Sequence, residues 1–455
     1  MNQASVAHPL RVLMVPDTIY WITGTIARQI ATHNPWIEAT ICSSRILEQL
    51  LERDPSIVDR IDVAHFIDAF GSKRLLPKFQ GQVPCVTTIH HVHDWDGVEH
   101  NRNADAVMVV SQEWEKDLGE RGIAAERLVW VPNGVDASVF RPSTPDGRSS
   151  SRRRLRIAEQ AFVIGYFAKK SSDAKNRKGV DIFVAGLVEV AKKVPNTVAV
   201  VAGPGWKDMI AQLRAQGVDC RWLPFVVDHE DLSRVYQALD VYWVTARIEG
   251  GPVTLLEAMS SEVCCVSTPV GVAREILKDG INGFVTPIGD VAALVARTLQ
   301  LQQDEAGRRH MAKAGRETVL NGYQWKQTTA NARQLYEKAQ EGLAEPAGSE
   351  QACSGPSSSG GRVRRDAGPF PLNAVDRRLR RWVRMQENLF WLGSGDVADS
   401  REAVLKLCLR ACRANPLCVT PWAMLLANAS PSTYRTLSKT WRLLKKLGGW
   451  TPAQG

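Results

Sequence analysis

Two glutamates eight residues apart, Glu249 and Glu257, lie in the stretch RIEGGPVTLLEAM (247–259), with Gly250, Gly251, Pro252 and Val253 between them. Helix capping alone requires neither the second acid nor both glycines. The stretch follows an apolar run, DVYWVTA (240–246), and leads into a helical pattern, so it reads as strand, turn and helix. A helix N-terminus offers unpaired N–H groups and partial positive charge, which together suit an anion. Gly250 and Gly251 would let a phosphate approach the backbone without a Cβ clash, and Pro252 suits a first helical turn. Glu249 would face the cleft, and Glu257, about one turn inside the helix, could accept two hydrogen bonds from a vicinal diol such as a ribose. The pattern suits a nucleotide diphosphate with something polar beyond it; the alternative is a solvated turn acid and a surface helix acid.

These residues need a scaffold that brings strand ends together. Apolar runs at 10–16, 61–67, 83–89, 106–110 and 128–132 alternate with helix-like segments. A second series follows at 162–168, 197–203, 220–226, 240–246, 263–268 and 283–288, with a helix near 180–193. Short apolar runs separated by helices predict doubly wound parallel sheets, here two of them. Ligands of such sheets bind beyond the carboxyl ends of the strands. The expected division is an N-terminal Rossmann-like domain over 1–145 and a C-terminal one over 146–344, closed by the helical region 289–343. A Gly/Ser/Pro-rich linker, 345–369, and a basic helical tail, 370–455, follow.

The E-x7-E spacing, the segment VSTPVGVAREIL (266–277) with its continuation to 295, and VPNGVDASVFRP (131–142) resemble retaining glycosyltransferases of family four. The resemblance covers roughly 10–340 and is strongest from about 105 to 295. It implies the GT-B fold, two facing Rossmann-like domains with the site between them. It implies that Glu249 faces the donor sugar and Glu257 the ribose. In GYFAKKSSDAKNRKGVD (165–181), Lys178-Gly179 matches the family's K-G, and Lys169 stands where arginine is usual, with Lys170 as the register alternative. Both lysines would neutralise the donor diphosphate. Gly24 matches the first-domain glycine loop, and His90 in TTIHHVHDW (87–95) matches the family's histidine, with His91 and His93 as spares. Gly271 and Glu275 belong to a structural loop near the ligand, and PNGVD (132–136) fixes the region between domains.

The implied activity is transfer of a hexosyl-type sugar from a nucleotide-diphosphate sugar to an acceptor hydroxyl, with retention, without metal and without a cofactor. A metal reading of His90, His91, His93 and Asp94 is the lesser alternative. A nucleotide-sugar epimerase and a non-catalytic GT-B scaffold stay open. Acceptor contacts are expected in 20–25 and 93–103.

The formal charge is +9, and the segment 345–455 alone carries 17 basic and 8 acidic residues, so the excess lies in the tail. Five of the fourteen tryptophans are there too. Basic helices with tryptophan fit an anionic membrane surface, through 376–450, or a subdomain packed on the core. Charge alone would admit nucleic acid, but no nucleic-acid motif is present and none is expected as a partner. The nine cysteines form no CxxC pair or zinc spacing and read as reduced thiols. With no signal-peptide core, cytoplasmic residence is expected, or a peripheral position at the inner face of the membrane.

Overall fold

A computed structural model describes residues 8–19, 21–170, 176–224, 226 and 228–344. The linker, the tail, Tyr20 and the tail's cysteine pair Cys408/Cys412 lie outside the described residues. The first sheet holds β1 (Leu10–Val15), β2 (Ile37–Ile41), β3 (Val63–Phe66), β4 (Cys85–Ile89), β5 (Ala106–Val109) and β6 (Leu128–Trp130), in the order β2-β1-β3-β4-β5-β6. The second holds β7 (Phe162–Phe167), β8 (Thr197–Ala202), β9 (Asp219–Leu223), β10 (Val241–Val244), β11 (Cys264–Ser267) and β12 (Phe284–Val285), in the order β12-β11-β10-β7-β8-β9. Every ladder is parallel. This is the two-domain GT-B architecture. The central strands are buried along their whole length because helices cover both faces, which is why they read as unbroken apolar runs.

Strand order reverses between β1 and β3 in the first sheet and between β7 and β10 in the second. Those two switch points are where such sheets leave a crevice for a ligand. In the second sheet, the turns after β7 and β10 carry the Lys178 and Glu249 stretches.

Two sequence expectations change. The strand Ile37–Ile41 went unrecognised: it is an edge strand whose Glu38 and Thr40 interrupt the apolar run. The helical region 289–343 does not close the second unit alone. The helices Val291–Gln303 and Glu305–Gly322 pack there, but the last helix, Ala332–Ala344, returns to the first sheet. Its Leu335, Tyr336 and Ala339, with Trp325 just before it, share a core with Val12, Met14, Val63 and Met108. Tyr336 Oη lies 2.9 Å from Nδ1 of the buried His65, whose Nε2 lies 2.8 Å from Thr88 Oγ1. Periodicity marks an apolar face but not the sheet that will cover it. The chain thus crosses between domains twice, side by side. Val135 N donates to Tyr323 O at 2.9 Å, and a Cβ on Gly134 would meet the backbone of Trp325. PNGVD does lie between the domains.

Candidate active site

The turn that carries Lys178 is built by its neighbours. Gly179 adopts φ +66°, a left-handed conformation that L side chains rarely take, and a Cβ there would collide with the Thr245 carbonyl at the end of β10. Thr245 Oγ1 donates to Gly179 O at 2.8 Å, and Tyr166 Oη, from β7, donates to Lys178 O at 2.6 Å. Asn176 Oδ1 accepts from Val180 N at 3.0 Å, and Arg247 forms a two-pronged ion pair with Asp181, with both hydrogen bonds 2.7 Å. These contacts set Lys178 across from the turn after β10.

There Lys178 Nζ donates to Glu249 Oε1, and an Arg177 guanidinium nitrogen lies 3.6 Å from the same oxygen. Glu249 is 9% exposed. Burial opposes its ionisation, but Lys178 and then Arg177 outweigh that and hold the carboxyl below its ordinary value. Glu257 is 7% exposed and sits on the helix Val253–Ser260. Its Oε2 accepts from Tyr236 Oη at 2.8 Å. Burial pushes its pKa up to about 8, against the Tyr236 hydrogen bond, which lowers it. The two acids are therefore neither solvated nor alike: one is held as a carboxylate, the other is poised near neutrality.

The glycine pair has a different reason from the one its sequence suggests. A Cβ on Gly250 would collide with the His90 carbonyl, and one on Gly251 would come within 2.6 Å of Asn133 Nδ2. The groups that approach this turn are the opposite domain's own loops. Asn133 Nδ2 donates to Gly251 O at 2.9 Å, and Trp114 Nε1 donates to Glu249 O at 3.0 Å. Pro252 is the residue before the first helical position, and its carbonyl accepts from Leu255 N at 2.9 Å. The N–H groups of Val253 and Thr254 meet no acceptor among the described residues, and both residues are half-exposed.

From the first domain, His90 donates its Nε2–H to Ile67 O at 3.0 Å. Burial lowers its pKa, so the ring is neutral, with Nδ1 left as an acceptor. His91 is also neutral: burial, then Arg177, push it down to about 3, and Glu249 and Lys178 are among its charged neighbours. Its ring stacks on His93 at 5.2 Å. Among the described residues no three His, Cys, Asp or Glu side chains gather as a metal would need, so His90, His91, His93 and Asp94 do not form such a set. Lys169 leaves the end of β7 with its ammonium 5.3 Å from the centre of the Trp21 ring, which belongs to the first domain. Gly24 is not in a loop. It lies in the first turn of the helix Ile22–His33, where a Cβ would run into the Ile19 backbone.

Arg177 was not singled out from the sequence, although it adjoins Lys178, and His91 was read there only as a spare for His90 and in the lesser metal reading. Tyr236 and Trp114 reach the site from distant segments and carried no local signal; Asn133 lies in the PNGVD stretch, read from the sequence only as fixing the region between the domains.

Two family models match, Glycosyltransferase Family 4 over residues 13–139 and Glycosyl transferases group 1 over 150–318. The chain belongs to the family-four glycosyltransferases. It is 27% identical over 243 residues to a GDP-mannose-dependent alpha-(1-6)-phosphatidylinositol monomannoside mannosyltransferase of Mycolicibacterium smegmatis, covering 51% of this chain and 62% of that protein. It is 21% identical over 340 residues to N-acetyl-alpha-D-glucosaminyl L-malate synthase of Bacillus anthracis, covering 72% and 86%. The matched stretch spans about half to three fifths of the length of several of the curated relatives. Among solved structures, Anabaena HepE in complex with UDP-glucose superposes with a TM-score of 0.60 at 20% identity, covering 73% of this chain and all of that one. That likeness speaks for the fold. No helix among the described residues is long and apolar enough to cross a membrane.

Proposed function

We propose that this family member transfers a hexosyl-type sugar from a nucleotide-diphosphate sugar to an acceptor hydroxyl, with retention and without a metal ion. The observation that carries the reading is the buried Glu249 carboxylate held by Lys178 and Arg177 beyond β7 and β10, with Glu257 on the next helix.

The donor diphosphate would lie against Lys178, Arg177 and the free N–H groups of Val253 and Thr254, with Lys169 at the rim. Breaking the anomeric C–O bond builds positive charge on the ring and negative charge on the leaving diphosphate. Fixed positive groups aimed at that diphosphate are the largest expected contribution to rate. Lys178 would then be shared between the diphosphate and Glu249, and Glu249 would orient sugar hydroxyls and face the developing oxocarbenium. Glu257 Oε1 would take the ribose diol while Tyr236 holds Oε2. The acceptor attacks on the leaving-group face, and the departing phosphate oxygen takes its proton, so no side-chain base is required. His90 and His91, both neutral, would serve as hydrogen-bonding groups. Gly24 would act through packing behind the site.

A lipid-linked or glycan acceptor of the cell envelope fits the phosphatidylinositol monomannoside and lipopolysaccharide core named for two of the relatives, and the basic tryptophan-bearing tail fits a peripheral position on an anionic membrane at its cytoplasmic face. Flotation of the full chain with anionic but not neutral vesicles is the expected behaviour; equal flotation with both would count against it.

The test of function is nucleotide release from UDP-, GDP-, ADP- and dTDP-sugars, with and without glycan and lipid-linked acceptors, in the presence and absence of a chelator. Release that needs an acceptor, survives chelation and gives a product of the donor's anomeric configuration is expected. Donor conversion without any acceptor would favour an epimerase, and binding with no turnover a scaffold.

A further inference from the structure

The helix Gln112–Glu120 of the first domain begins without a side-chain cap from its own N-cap residue. Its N-cap residue, Ser111, is of a type that usually supplies the cap, yet the hydroxyl makes no cap bond and is buried with no partner among the described residues. The second domain supplies it instead: Glu275 Oε1 accepts from Gln112 N at 2.6 Å. The reverse contact is also made. Glu113, the next residue on that helix, accepts from Gly271 N through Oε2 at 2.7 Å, and Arg274 Nε lies 3.3 Å from the same oxygen. Each domain thus satisfies a backbone donor of the other with a glutamate. One residue further on, Trp114 holds the Glu249 carbonyl, and Asn133 holds that of Gly251. Gly271 is itself tied to the same turn, because Val272 N donates to Gly250 O at 2.8 Å.

We propose that Glu113 and Glu275 form a clasp that closes the two domains and fixes the Glu249–Gly251 turn, which makes both of them positioning residues for the transfer. The effect on turnover rests on the function proposed above; the clasp itself does not.

The clasp responds to pH. Glu275 Oε2 is buried with no partner among the described residues, and burial raises the pKa to about 7; Gln112 N–H opposes this, while Glu113 and Glu115 add to it. Arg274 pairs with Glu113, and Tyr323 is the remaining titratable neighbour. In the open cleft Glu275 regains a value near that of a free glutamate. The closed form therefore holds the proton more tightly. Closure is favoured on the acid side and weakened as pH rises through about 7.

Hydrogen exchange on the full chain tests the clasp. In Glu113→Ala/Glu275→Ala, peptides spanning 111–115, 249–251 and 270–273 should lose protection by about tenfold, the scale of a lost hydrogen bond, while β8 keeps its own. Glu275→Gln keeps an acceptor for Gln112 and should keep protection. It should also abolish the difference that wild type shows between about pH 6 and about pH 8 after correction for intrinsic exchange. Glu113→Lys, at a half-exposed position outside either core, serves should the double variant destabilise β8, and should deprotect 270–273. Where turnover is measured, the double variant should lose about tenfold in kcat with donor KM little changed, and Glu275→Gln should lose the alkaline decline. Wild-type protection at 111–115 and 270–273 in the alanine and lysine variants would overturn the clasp. Absence of turnover in wild type with every nucleotide sugar would overturn the function and leave the exchange result standing.

Discussion

Trp114 of the first domain donates its indole N–H to the main-chain carbonyl of Glu249 in the second, at 3.0 Å. The residue whose carboxylate meets Lys178 is therefore held from behind by the opposite domain. Trp114→Phe keeps the ring and removes the donor. It should lower kcat by about threefold to tenfold, in keeping with the loss of one buried hydrogen bond. A melting shift with unchanged kcat would mean that Trp114 only packs.

Among the described residues Lys178 is the cation closest to Glu249. Lys178→Ala should cost about a hundredfold in kcat, the scale of removing one charge-stabilising donor, and Glu249→Ala should cost as much. Steady-state kinetics on the purified variants decide it. In Lys178→Ala the Glu249 carboxyl should also move up, because its largest opposing charge is gone.

Glu257 titrates where it matters. Its folded pKa of about 8 lies above the value of a free glutamate, so its contribution to stability is fully present below that free value and is lost as pH rises through about 8. Glu257→Gln should therefore melt higher than wild type at alkaline pH, with the gap shrinking toward neutrality. A ribose diol favours the ionised form, so nucleoside diphosphate affinity should rise with pH through the same region. Tyr236→Phe removes a bond that lowers this pKa and should push the inflection upward. Calorimetric titration with UDP and GDP over a pH series reads both effects, and a 2′,3′-dideoxy nucleotide should show no inflection.

Gly250→Ala puts a methyl group into the His90 carbonyl across the domain boundary. Each domain's own core is untouched, so the protein should fold while the cleft is wedged open. The expected result is loss of about tenfold or more in kcat with a melting shift of about 1 kcal/mol or less in stability, as for a substitution outside a core. Small-angle scattering should show an expanded particle.

Tyr336→Phe leaves His65 Nδ1 buried without its partner. A stability loss of about 1–3 kcal/mol is expected from denaturant unfolding, since an orphaned buried polar group bears its full desolvation cost.

What the sequence disclosed divides along physical lines. Features set by local chemistry were legible: the unbroken apolar strands and the strand-turn-helix that carries Glu249 and Glu257; Lys178-Gly179 was found only through the resemblance to the family's K-G. Features set by contacts between distant segments were not. Gly250 and Gly251 looked like room for a phosphate because nothing nearby showed that His90 and Asn133 would lie against them. The final helix carries a clear apolar face, yet only the folded chain shows it covering the first sheet. Glu113 and Glu275 are separated by more than a hundred residues; Glu275 read only as part of a structural loop near the ligand, and nothing in the sequence joined the two.

The most direct measurement is a crystal structure of the protein with its nucleoside diphosphate, UDP or GDP, whichever binds tighter. The expected result is a diphosphate in contact with Lys178 Nζ and the Val253–Thr254 amides, and a ribose on Glu257 Oε1. A nucleotide bound elsewhere, or a diphosphate with Lys178 still committed to Glu249 and Glu257 turned away, would contradict the site.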